Sequence, residues 1–219
     1  MSLKSWREQK LNECKDFPNH LYYFAHKDNF ENILKFGILN KKEIKERKLK
    51  YTSFAIEEVQ DIRSETKIPK SGLGGRIDNH YVHDFVPLYF TSKTPTLYAV
   101  KESQENFFFL KINSRRIITD EKIDFSFCNG NAASFETNCY SNLSELNRID
   151  WKIIHSKYWN EFTDGKRKRN SEFLIYGSVD LKYVDEILLN SNRYYDNFVK
   201  LKEKYKINIS ININNEYFF

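Results

Sequence analysis

The sequence predicts a single domain of the α+β class. Its 219 residues are the length of one domain. A hydrophobic fraction of 40%, with 16% aromatic residues, is enough to form a core. Segments typical of strands and of helices are mixed without the strict alternation of a doubly wound sheet. No repeat and no long Gly/Ser or Pro linker divides residues 1–219, so we expect one domain.

Composition and spacing predict the elements of the first half in order. Residues 1–19 are polar and are expected to form a helical extension closed by Pro18. A strand of apolar and aromatic residues follows, and then a helix whose apolar stripe stops at Gly37, where a helix C′ residue belongs. The predicted elements from residue 21 to 113 are a strand at Leu21–Ala25, a helix capped by Asp28, a solvated helix face at Lys41–Lys50, a helix at Phe54–Arg63, a loop at Lys67–Asp78, a strand at Val86–Phe90, a helix from Thr94 to Lys101 and a strand at Phe107–Asn113.

The second half of the chain contains one long segment without an obvious period. Residues 124–140 are rich in Asn, Ser and Gly and predict a surface loop, and loops of this length in compact domains are often functional. The other predicted elements are a strand at Arg115–Thr119, a helix at Trp151–Tyr158, a basic turn at Thr163–Asn170, strands at Glu172–Tyr176 and Glu186–Leu189, a helix at Asn192–Tyr205 and a strand at Ile207–Ile213.

Composition also bounds the compartment. With 30% charged residues and a mean hydropathy of −0.67, the sequence predicts no membrane span. The first ten residues have no apolar core typical of a signal peptide. The three cysteines are too few and too scattered for a disulfide framework, which favours the reducing cytoplasm.

The common cofactor and metal motifs are missing from the sequence. It has no P-loop and no HExxH, and the Gly-rich residues 71–76 follow a loop rather than a strand. His80, His83 and Asp84 lack a second ligand cluster at a recognisable spacing, so we predict no metal site. A net charge of +5 is compatible with a polyanionic partner but does not require one.

Four segments, in their order and spacing, resemble a known family. They are residues 21–29 (LYYFAHKDN), 60–63 (QDIR), 84–98 (DFVPLYFTSKTPTLY) and 171–176 (SEFLIY). Together they are similar to DarT, the DNA ADP-ribosyltransferase toxin of the DarT–DarG toxin–antitoxin pair. The resemblance covers roughly residues 20–219. It implies an ADP-ribosyltransferase-like fold with a mixed central β-sheet flanked by helices, and NAD as the co-substrate.

Two charged residues carry the reaction that the resemblance implies. Release of nicotinamide from NAD passes through an oxocarbenium-like transition state, which a carboxylate close to the sugar favours. Glu172, at the start of a predicted strand, is the candidate carboxylate. Arg63 is a planar cation suited to a pyrophosphate or a base carbonyl, and the resemblance implies a role on the target base, including removal of its proton. From the residues alone, pairing of Glu172 with Arg169, and of Arg63 with Glu57 or Asp61, remain open alternatives.

The first strand and the helix after it are the expected cofactor site. Main-chain groups of a strand can match the carboxamide of nicotinamide without charged side chains. Relatives often carry His at the position of Tyr23 and Thr at that of Ala25, and main-chain contacts survive both changes. The predicted cofactor-binding residues are Tyr23, Phe24, Ala25, His26, Asn29, Asn32, Asn40 and Arg63. For Phe24, a place in the core is an equal alternative.

The segment 124–140 corresponds, by resemblance, to the loop with which the family reads its substrate. Asn131 stands where relatives commonly carry His. Aromatic residues there can stack on an unpaired base at about 1–3 kcal/mol each. The basic residues 166–169 can hold phosphates or form a solvated turn. The predicted nucleic-acid-binding residues are Asn131, Phe135, Tyr140, Lys166, Arg167 and Arg169.

The expected target is single-stranded DNA, because a base in a duplex must first be unstacked. The resemblance favours thymidine, modified at a ring nitrogen, and leaves guanosine open. It also implies a macrodomain antitoxin of the DarG type as partner. The alternatives are an ADP-ribosyltransferase that acts on RNA or protein, an NAD hydrolase, and a nucleic-acid-binding domain without activity.

Overall fold

The structure is a computed structural model, and it describes residues 1–54, 57–71 and 78–219. The strands are β1 His20–His26, β2 Lys67–Lys70, β3 Asp78–Tyr81, β4 Phe85–Tyr89, β5 Phe107–Asn113, β6 Phe125–Cys128, β7 Cys139–Tyr140, β8 Glu172–Tyr176, β9 Val184–Leu189 and β10 Ser210–Ile213. The α-helices are α1 Leu3–Glu13, α2 Phe30–Phe36, α3 Lys41–Glu46, α4 Glu57–Glu65, α5 Pro95–Tyr98, α6 Ser114–Thr119, α7 Trp151–His155, α8 Gly165–Arg169 and α9 Tyr195–Lys204.

Eight strands form one mixed sheet in the order β10-β9-β5-β1-β4-β8-β6-β7. The edge strand β10 runs parallel to β9, whereas the other neighbours are antiparallel. Strands β2 and β3 form a separate antiparallel pair. This mixed arrangement, with helices packed around the sheet, confirms the α+β prediction.

The two central strands β1 and β4 diverge. Every residue of β1 pairs with β5, from His20 opposite Asn113 to His26 opposite Phe107. Towards β4, the described ladder has one register pair, Tyr22 with Tyr89. The edge of β1 beyond Tyr22 therefore faces a gap in the middle of the sheet rather than a neighbouring strand.

Alternation along β4 and β8 separates the core from this gap. Val86 and Leu88 are fully buried in the main hydrophobic core. Their neighbours Pro87 and Tyr89 point to the opposite face, because successive strand residues alternate. Glu172 begins β8 directly across from Tyr89, which places its carboxylate on that opposite face as well.

The N-terminal helix α1 packs on the sheet domain. Leu11 is buried in the main core, and the Arg7 guanidinium donates to the carbonyl oxygens of Ile118, Asp120 and Ile123 at 2.8–3.0 Å. Burial lowers the pKa of Arg7, and nearby carboxylates including Asp124 oppose that shift. The predicted helix within residues 1–19 is confirmed.

Three predicted elements are wrong. Arg115–Thr119 is the helix α6 rather than a strand, because the side chain of Asn113 caps it by accepting from Arg116 N at 3.0 Å. Lys67–Asp78 is not a loop throughout, since β2 and β3 lie at its ends, and residues 72–77 fall outside the described part. The basic turn at Thr163–Asn170 contains the helix α8. The helix predicted at Phe54–Arg63 appears as α4, with residues 55 and 56 outside the described ranges.

The long loop predicted at 124–140 is also more ordered than its composition indicates. It contains β6, which is buried along its whole length, and the short strand β7. Cys128 and Cys139 pair across these strands and form a disulfide, whereas the sequence favoured free thiols. The disulfide closes the intervening loop at the end of β6 that lies beside Glu172.

None of the helices in the described ranges is both long and apolar enough to cross a membrane.

Candidate active site

A cavity of about 320 Å³ lies at the gap between β1 and β4. Its size is within the usual range for small-molecule sites. Aromatic rings and a few polar groups line it, and they come from β1, β4, α4, α5, α8 and the start of β8. The described lining includes Tyr23, Phe24, Lys41, Tyr51, Phe54, Gln60, Arg63, His83, Tyr89, Thr96, Asn131, Lys166, Asn170 and Glu172.

A buried ion pair forms the polar centre of the cavity wall. Arg63 Nη1 donates to Glu172 Oε1 at 3.0 Å, and Arg63 Nη2 donates to Glu172 Oε2 at 2.9 Å. Glu172 is 0% exposed and Arg63 is 7% exposed. Both predicted catalytic residues therefore line one cavity and bind each other in the parallel two-bond geometry that suits guanidinium and carboxylate. Glu172 thus pairs with Arg63 and not with Arg169, and Arg63 pairs with Glu172 and not with Glu57 or Asp61.

Electrostatics keep the guanidinium of this pair protonated. Burial lowers the pKa of Arg63, but the charge of Glu172 and its hydrogen bonds outweigh burial and leave that pKa above its ordinary value. A protonated Arg63 is a donor and a cation, and it has no lone pair with which to accept a proton.

Three tyrosines line the same cavity, and their hydroxyls remain protonated. Burial, together with the neighbouring charge of Glu172, raises the pKa of Tyr89 well above its usual range. Burial likewise raises the pKa of Tyr23 and of Tyr51, whose hydroxyls interact with each other. These groups supply neutral hydrogen-bond donors inside the cavity.

Further polar contacts hold the rim. His83 Nε2 lies 3.3 Å from Gln60 Oε1, one helical turn from Arg63 on α4. Burial lowers the pKa of His83, and the positive charge of Arg63 adds to that effect, so the imidazole is neutral at pH 7. On the other side, Asn170 Oδ1 accepts from the main chain and the hydroxyl of Thr96 at 3.2 and 2.9 Å.

The structure separates the predicted cofactor residues of β1 into two groups. Tyr23 and Phe24 line the cavity, and the Phe24 ring stacks on Phe54 with centroids 4.6 Å apart. Ala25 is fully buried in the main core, and His26 lies outside the described lining with its ring against Phe107. Side-chain contacts from Ala25 and His26 to a molecule in the cavity are therefore not supported.

The three predicted asparagines bind the main chain instead of lining the cavity. Asn29 donates to Thr52 O and accepts from Thr52 N, both at 2.9 Å, and Asn32 donates to Lys50 O at 2.9 Å. These bonds hold the segment that brings Tyr51 and Phe54 to the cavity. Asn40 is outside the described lining of the cavity; it caps α3 and donates to the carbonyl oxygens of Asp84 and Gly177, beside the ends of β4 and β8, so direct contact with the cofactor is not supported.

The predicted nucleic-acid residues are divided in the same way. Asn131 and the exposed Lys166 line the cavity. Arg167 is occupied, because Nη1 donates to Asn129 O at 3.3 Å and to Thr137 Oγ1 at 3.1 Å, and the guanidinium also binds Asp164. Arg167 thus holds the loop that carries Asn131.

Two further predictions concern aromatic residues of this loop, and one concerns a buried cation. The Phe135 side chain is fully exposed, whereas Tyr140 is partly buried against the core beside Phe127. A phosphate contact is not supported for Arg169, which is 5% exposed and donates to the carbonyl oxygens of Lys93, Ile153, Ile154 and Ser156 at 2.6–2.9 Å. Burial lowers the pKa of Arg169 to about 10.

Sequence reasoning missed several lining residues, above all Tyr89, Tyr51 and Thr96. Tyr89 could have been found from the alternation of Val86–Phe90, since it faces away from Val86 and Leu88. Tyr51 follows a run of polar residues and carries no local signal of its position. Within the described ranges, no cluster of three or more His, Cys, Asp or Glu side chains is placed to hold a metal ion.

Solved structures define the class of protein to which this fold belongs. The chain superposes on Thermus sp. 2.9 DarT in complex with ADP-ribosylated ssDNA with a TM-score of 0.80 and 23% identity, over 92% of this chain and 97% of that one. For Thermus sp. 2.9 DarT in complex with NAD⁺ the TM-score is 0.75 at 21% identity, over 92% and 98%. The fold is that of an ADP-ribosyltransferase.

Sequence comparison then specifies the family. The family model of DarT, described as ssDNA thymidine ADP-ribosyltransferase, matches residues 22–219. A DNA ADP-ribosyl transferase of Thermus sp. (strain 2.9) is 26% identical over 198 residues, which are 86% of this chain and 89% of that protein. A DNA ADP-ribosyl transferase–DNA ADP-ribosyl glycohydrolase fusion protein of Thermosipho africanus is 32% identical over 189 residues, 84% of this chain and 46% of that protein. This chain belongs to the DarT family, which confirms the resemblance.

Proposed function

We propose that this protein transfers the ADP-ribose of NAD onto the thymine base of single-stranded DNA and releases nicotinamide. Membership of the DarT family supports the reaction class. The observation that carries the assignment of residues is the buried Arg63–Glu172 pair in the wall of the cavity. Each carboxylate oxygen uses one position for Arg63 and retains another with which to accept a bond from a substrate.

Glu172 stabilises the positive charge that develops on the ribose. Cleavage of the bond between nicotinamide and the ribose carbon C1″ gives an oxocarbenium-like transition state. A buried, oriented carboxylate is most effective against such a charge, because little water screens it and it does not need to reorganise. A free acceptor position on Glu172 also suits the ribose 2″-hydroxyl.

Arg63 acts on the base as a donor rather than as a proton acceptor. Its guanidinium remains protonated, and two of its N–H groups hold Glu172 in place. The remaining N–H groups can polarise a carbonyl of thymine, which makes the neighbouring ring N–H more acidic and its nitrogen a better nucleophile towards C1″.

The gap beside β1 is suited to the nicotinamide ring. Beyond Tyr22, the main-chain groups on this edge of β1 have no described ladder partner on β4, so they are free to bind a carboxamide. The Tyr23, Phe24 and Phe54 rings supply apolar walls. These features support the prediction that the first strand holds the nicotinamide end of NAD.

Polar residues elsewhere in the cavity lining are suited to bind a base and its phosphate. Thymidine in DNA has a single ring N–H, so transfer to that nitrogen forms the N–C1″ bond, releases nicotinamide and gives up one proton to solvent water. Lys166 at the rim is an exposed cation suited to a phosphate, and Asn131 beside it is suited to the edge of a base.

A second enzyme is expected to remove the adduct. The Thermosipho africanus relative joins its transferase to a DNA ADP-ribosyl glycohydrolase. We infer a hydrolase of the macrodomain type as the antitoxin partner of this transferase. We propose the cytoplasm as the compartment because it supplies both NAD and single-stranded DNA; its reducing conditions oppose the Cys128–Cys139 disulfide, so this assignment rests on the substrates and not on the cysteines.

The direct test is incubation of the pure protein with labelled NAD and single-stranded oligonucleotides that contain one thymidine or one guanosine. We expect a mass gain of one ADP-ribose on the thymidine oligonucleotide and release of nicotinamide. Transfer to guanosine instead would correct the target, whereas free ADP-ribose or modified protein without DNA modification would contradict the proposal.

The Glu172→Gln variant assigns the chemistry to the site. It keeps the size of the side chain and removes its charge, so we expect transfer to fall by at least about 100-fold with NAD affinity largely retained. Glu186→Gln is the matched control, since Glu186 is a strand carboxylate paired with Lys111 at 3.1 Å but lies outside the cavity lining. Full activity of Glu172→Gln would overturn the site assignment.

A further inference from the structure

Three exposed or partly exposed aromatic rings form a cluster on the surface. The ring centroids of Tyr98, Trp159 and Phe219 lie 5.1–5.7 Å apart, and each pair meets edge to face. Tyr98 is 44% exposed and Phe219 is 39% exposed. Large aromatic rings are usually buried, so a group of three that remains accessible to solvent indicates a surface that contacts something else. We call this cluster the aromatic triad.

The triad adjoins the cavity. Tyr98 ends α5 and follows Pro95, a cavity-lining residue, by three positions, so the two lie on the same side of the helical turn. Trp159 lies in the short helix Trp159–Glu161, which packs on α8, the helix that carries the lining residue Lys166. The triad therefore lies next to the part of the cavity wall that Pro95 and Lys166 form.

Positive side chains border the triad. Lys101 Nζ lies 4.6 Å from the centroid of the Tyr98 ring, and Lys93 Nζ lies 5.9 Å from that of Phe219. Within the described residues, the one carboxylate side chain that pairs with either lysine is Glu102, 3.7 Å from Lys101 and almost wholly exposed. Exposed rings beside cations are the combination that binds single-stranded nucleic acid, since rings stack on bases and ammonium groups hold phosphates.

The triad is held in position before any partner arrives. Phe219 N donates to Gln104 Oε1 at 2.8 Å, and the side-chain amide of Gln104 donates back to the Phe219 carbonyl oxygen. The preceding residue Phe218 is buried against Phe109. A fixed surface loses little conformational entropy when it binds, which favours a platform for a flexible strand.

We propose that the aromatic triad is an accessory binding site for unpaired bases that flank the target nucleotide of single-stranded DNA. This inference rests on the proposed function, because it identifies the neighbouring nucleotides as occupants. The exposed rings of Tyr98 and Phe219 can each stack on a base, while Lys93 and Lys101 hold adjoining phosphates. The site contacts the faces of bases rather than their edges, so it binds any sequence.

Oligonucleotide length separates this site from the catalytic cavity. Binding of fluorescently labelled oligonucleotides is measured by anisotropy for a trinucleotide centred on thymidine, and for the same core extended by four nucleotides on the 5′ side, the 3′ side or both. We expect one extension to tighten binding by the wild-type protein. Trp159→Leu and Phe219→Leu should abolish most of that gain, on the order of 10-fold, and leave trinucleotide binding unchanged.

Phe36→Leu is the matched control. Phe36 is 41% exposed, and Arg47 lies 5.7 Å from its ring centroid, but it is on α2 and outside the cavity lining. Thermal unfolding and NAD affinity report whether each variant is folded. If Trp159→Leu does not fold, Tyr98→Leu replaces it in the binding experiment. Equal binding of all lengths by the wild-type protein, or an unchanged length effect in the triad variants, would overturn the inference. Length-dependent binding without any ADP-ribose transfer would refute the proposed function while supporting the triad.

Discussion

Replacement of Arg63 by lysine tests whether the site needs the two-bond geometry or only a positive charge. Arg63 makes two parallel bonds to Glu172, at 3.0 and 2.9 Å, from a nearly buried position. An ammonium group is a point charge and can keep one of these bonds but not both. The variant therefore preserves net charge while it removes the restraint on the carboxylate.

The magnitude follows from the lost bond. A hydrogen bond to a charged group contributes about 1.5–3 kcal/mol. We expect Arg63→Lys to lower the free energy of unfolding by about that amount. If Glu172 loses its orientation in the transition state as well, the same energy corresponds to a roughly 10- to 150-fold slower transfer, at 1.36 kcal/mol per factor of ten.

Two measurements on the same preparation check this expectation. Denaturant unfolding gives the stability change, and single-turnover transfer from labelled NAD to a thymidine oligonucleotide gives the rate. Arg47→Lys is the control, because Arg47 pairs with Glu43 at 3.4 Å on the exposed surface of α3 and its loss should cost no more than about 0.5 kcal/mol. A wild-type rate in folded Arg63→Lys would show that the two-bond geometry is not needed and would refute the reasoning.

Three other expectations concern stability. The pKa of Glu31 is lowered to about 2, mainly by its hydrogen bond from Lys204, so Glu31→Gln should reduce the melting temperature at pH 7. The difference between the variant and the wild type should fade as the pH falls from 4.5, the ordinary pKa of the group, towards 2. A difference that stays constant with pH would contradict this expectation. Cys128→Ser should lower the free energy of unfolding by about 3 kcal/mol, because it opens the loop that the disulfide to Cys139 closes. Reductant should bring the wild-type protein to the same stability. A wild-type protein that is insensitive to reductant would be inconsistent with the disulfide. Arg169→Lys should lower the free energy of unfolding by at least about 1.5–3 kcal/mol without changing DNA affinity in the folded protein, and weaker DNA binding at full stability would restore its predicted phosphate role.

The elements that could be predicted from the sequence are those whose local and tertiary preferences agree. Phe107–Asn113 and Glu172–Tyr176 are apolar runs, and both are strands with the predicted bounds. In Arg115–Thr119 the two isoleucines favour a strand, but the cap from Asn113 and packing against α1 produce a helix. The strand Phe125–Cys128 could not be predicted, because its four buried residues are too short a run and polar residues surround it.

The site shows the same division. The resemblance identified Glu172 and Arg63 separately, but nothing in the spacing of residues 109 apart indicates that they bind each other. The asparagines and Arg169 were predicted from residue type, which specifies what a side chain can donate but not to which partner. Asn40 and Arg169 donate to main-chain carbonyl oxygens, because the buried ends of nearby helices and strands carry carbonyl groups that need a hydrogen-bond donor.

A crystal structure of the protein with a non-cleavable NAD analogue tests most directly whether Glu172 acts on the ribose. We expect a carboxylate oxygen of Glu172 within hydrogen-bond distance, about 2.6–3.2 Å, of the ribose hydroxyl next to the carbon that nicotinamide leaves. A ribose bound elsewhere, with the Glu172–Arg63 pair turned away from it, would show that Glu172 does not stabilise the transition state.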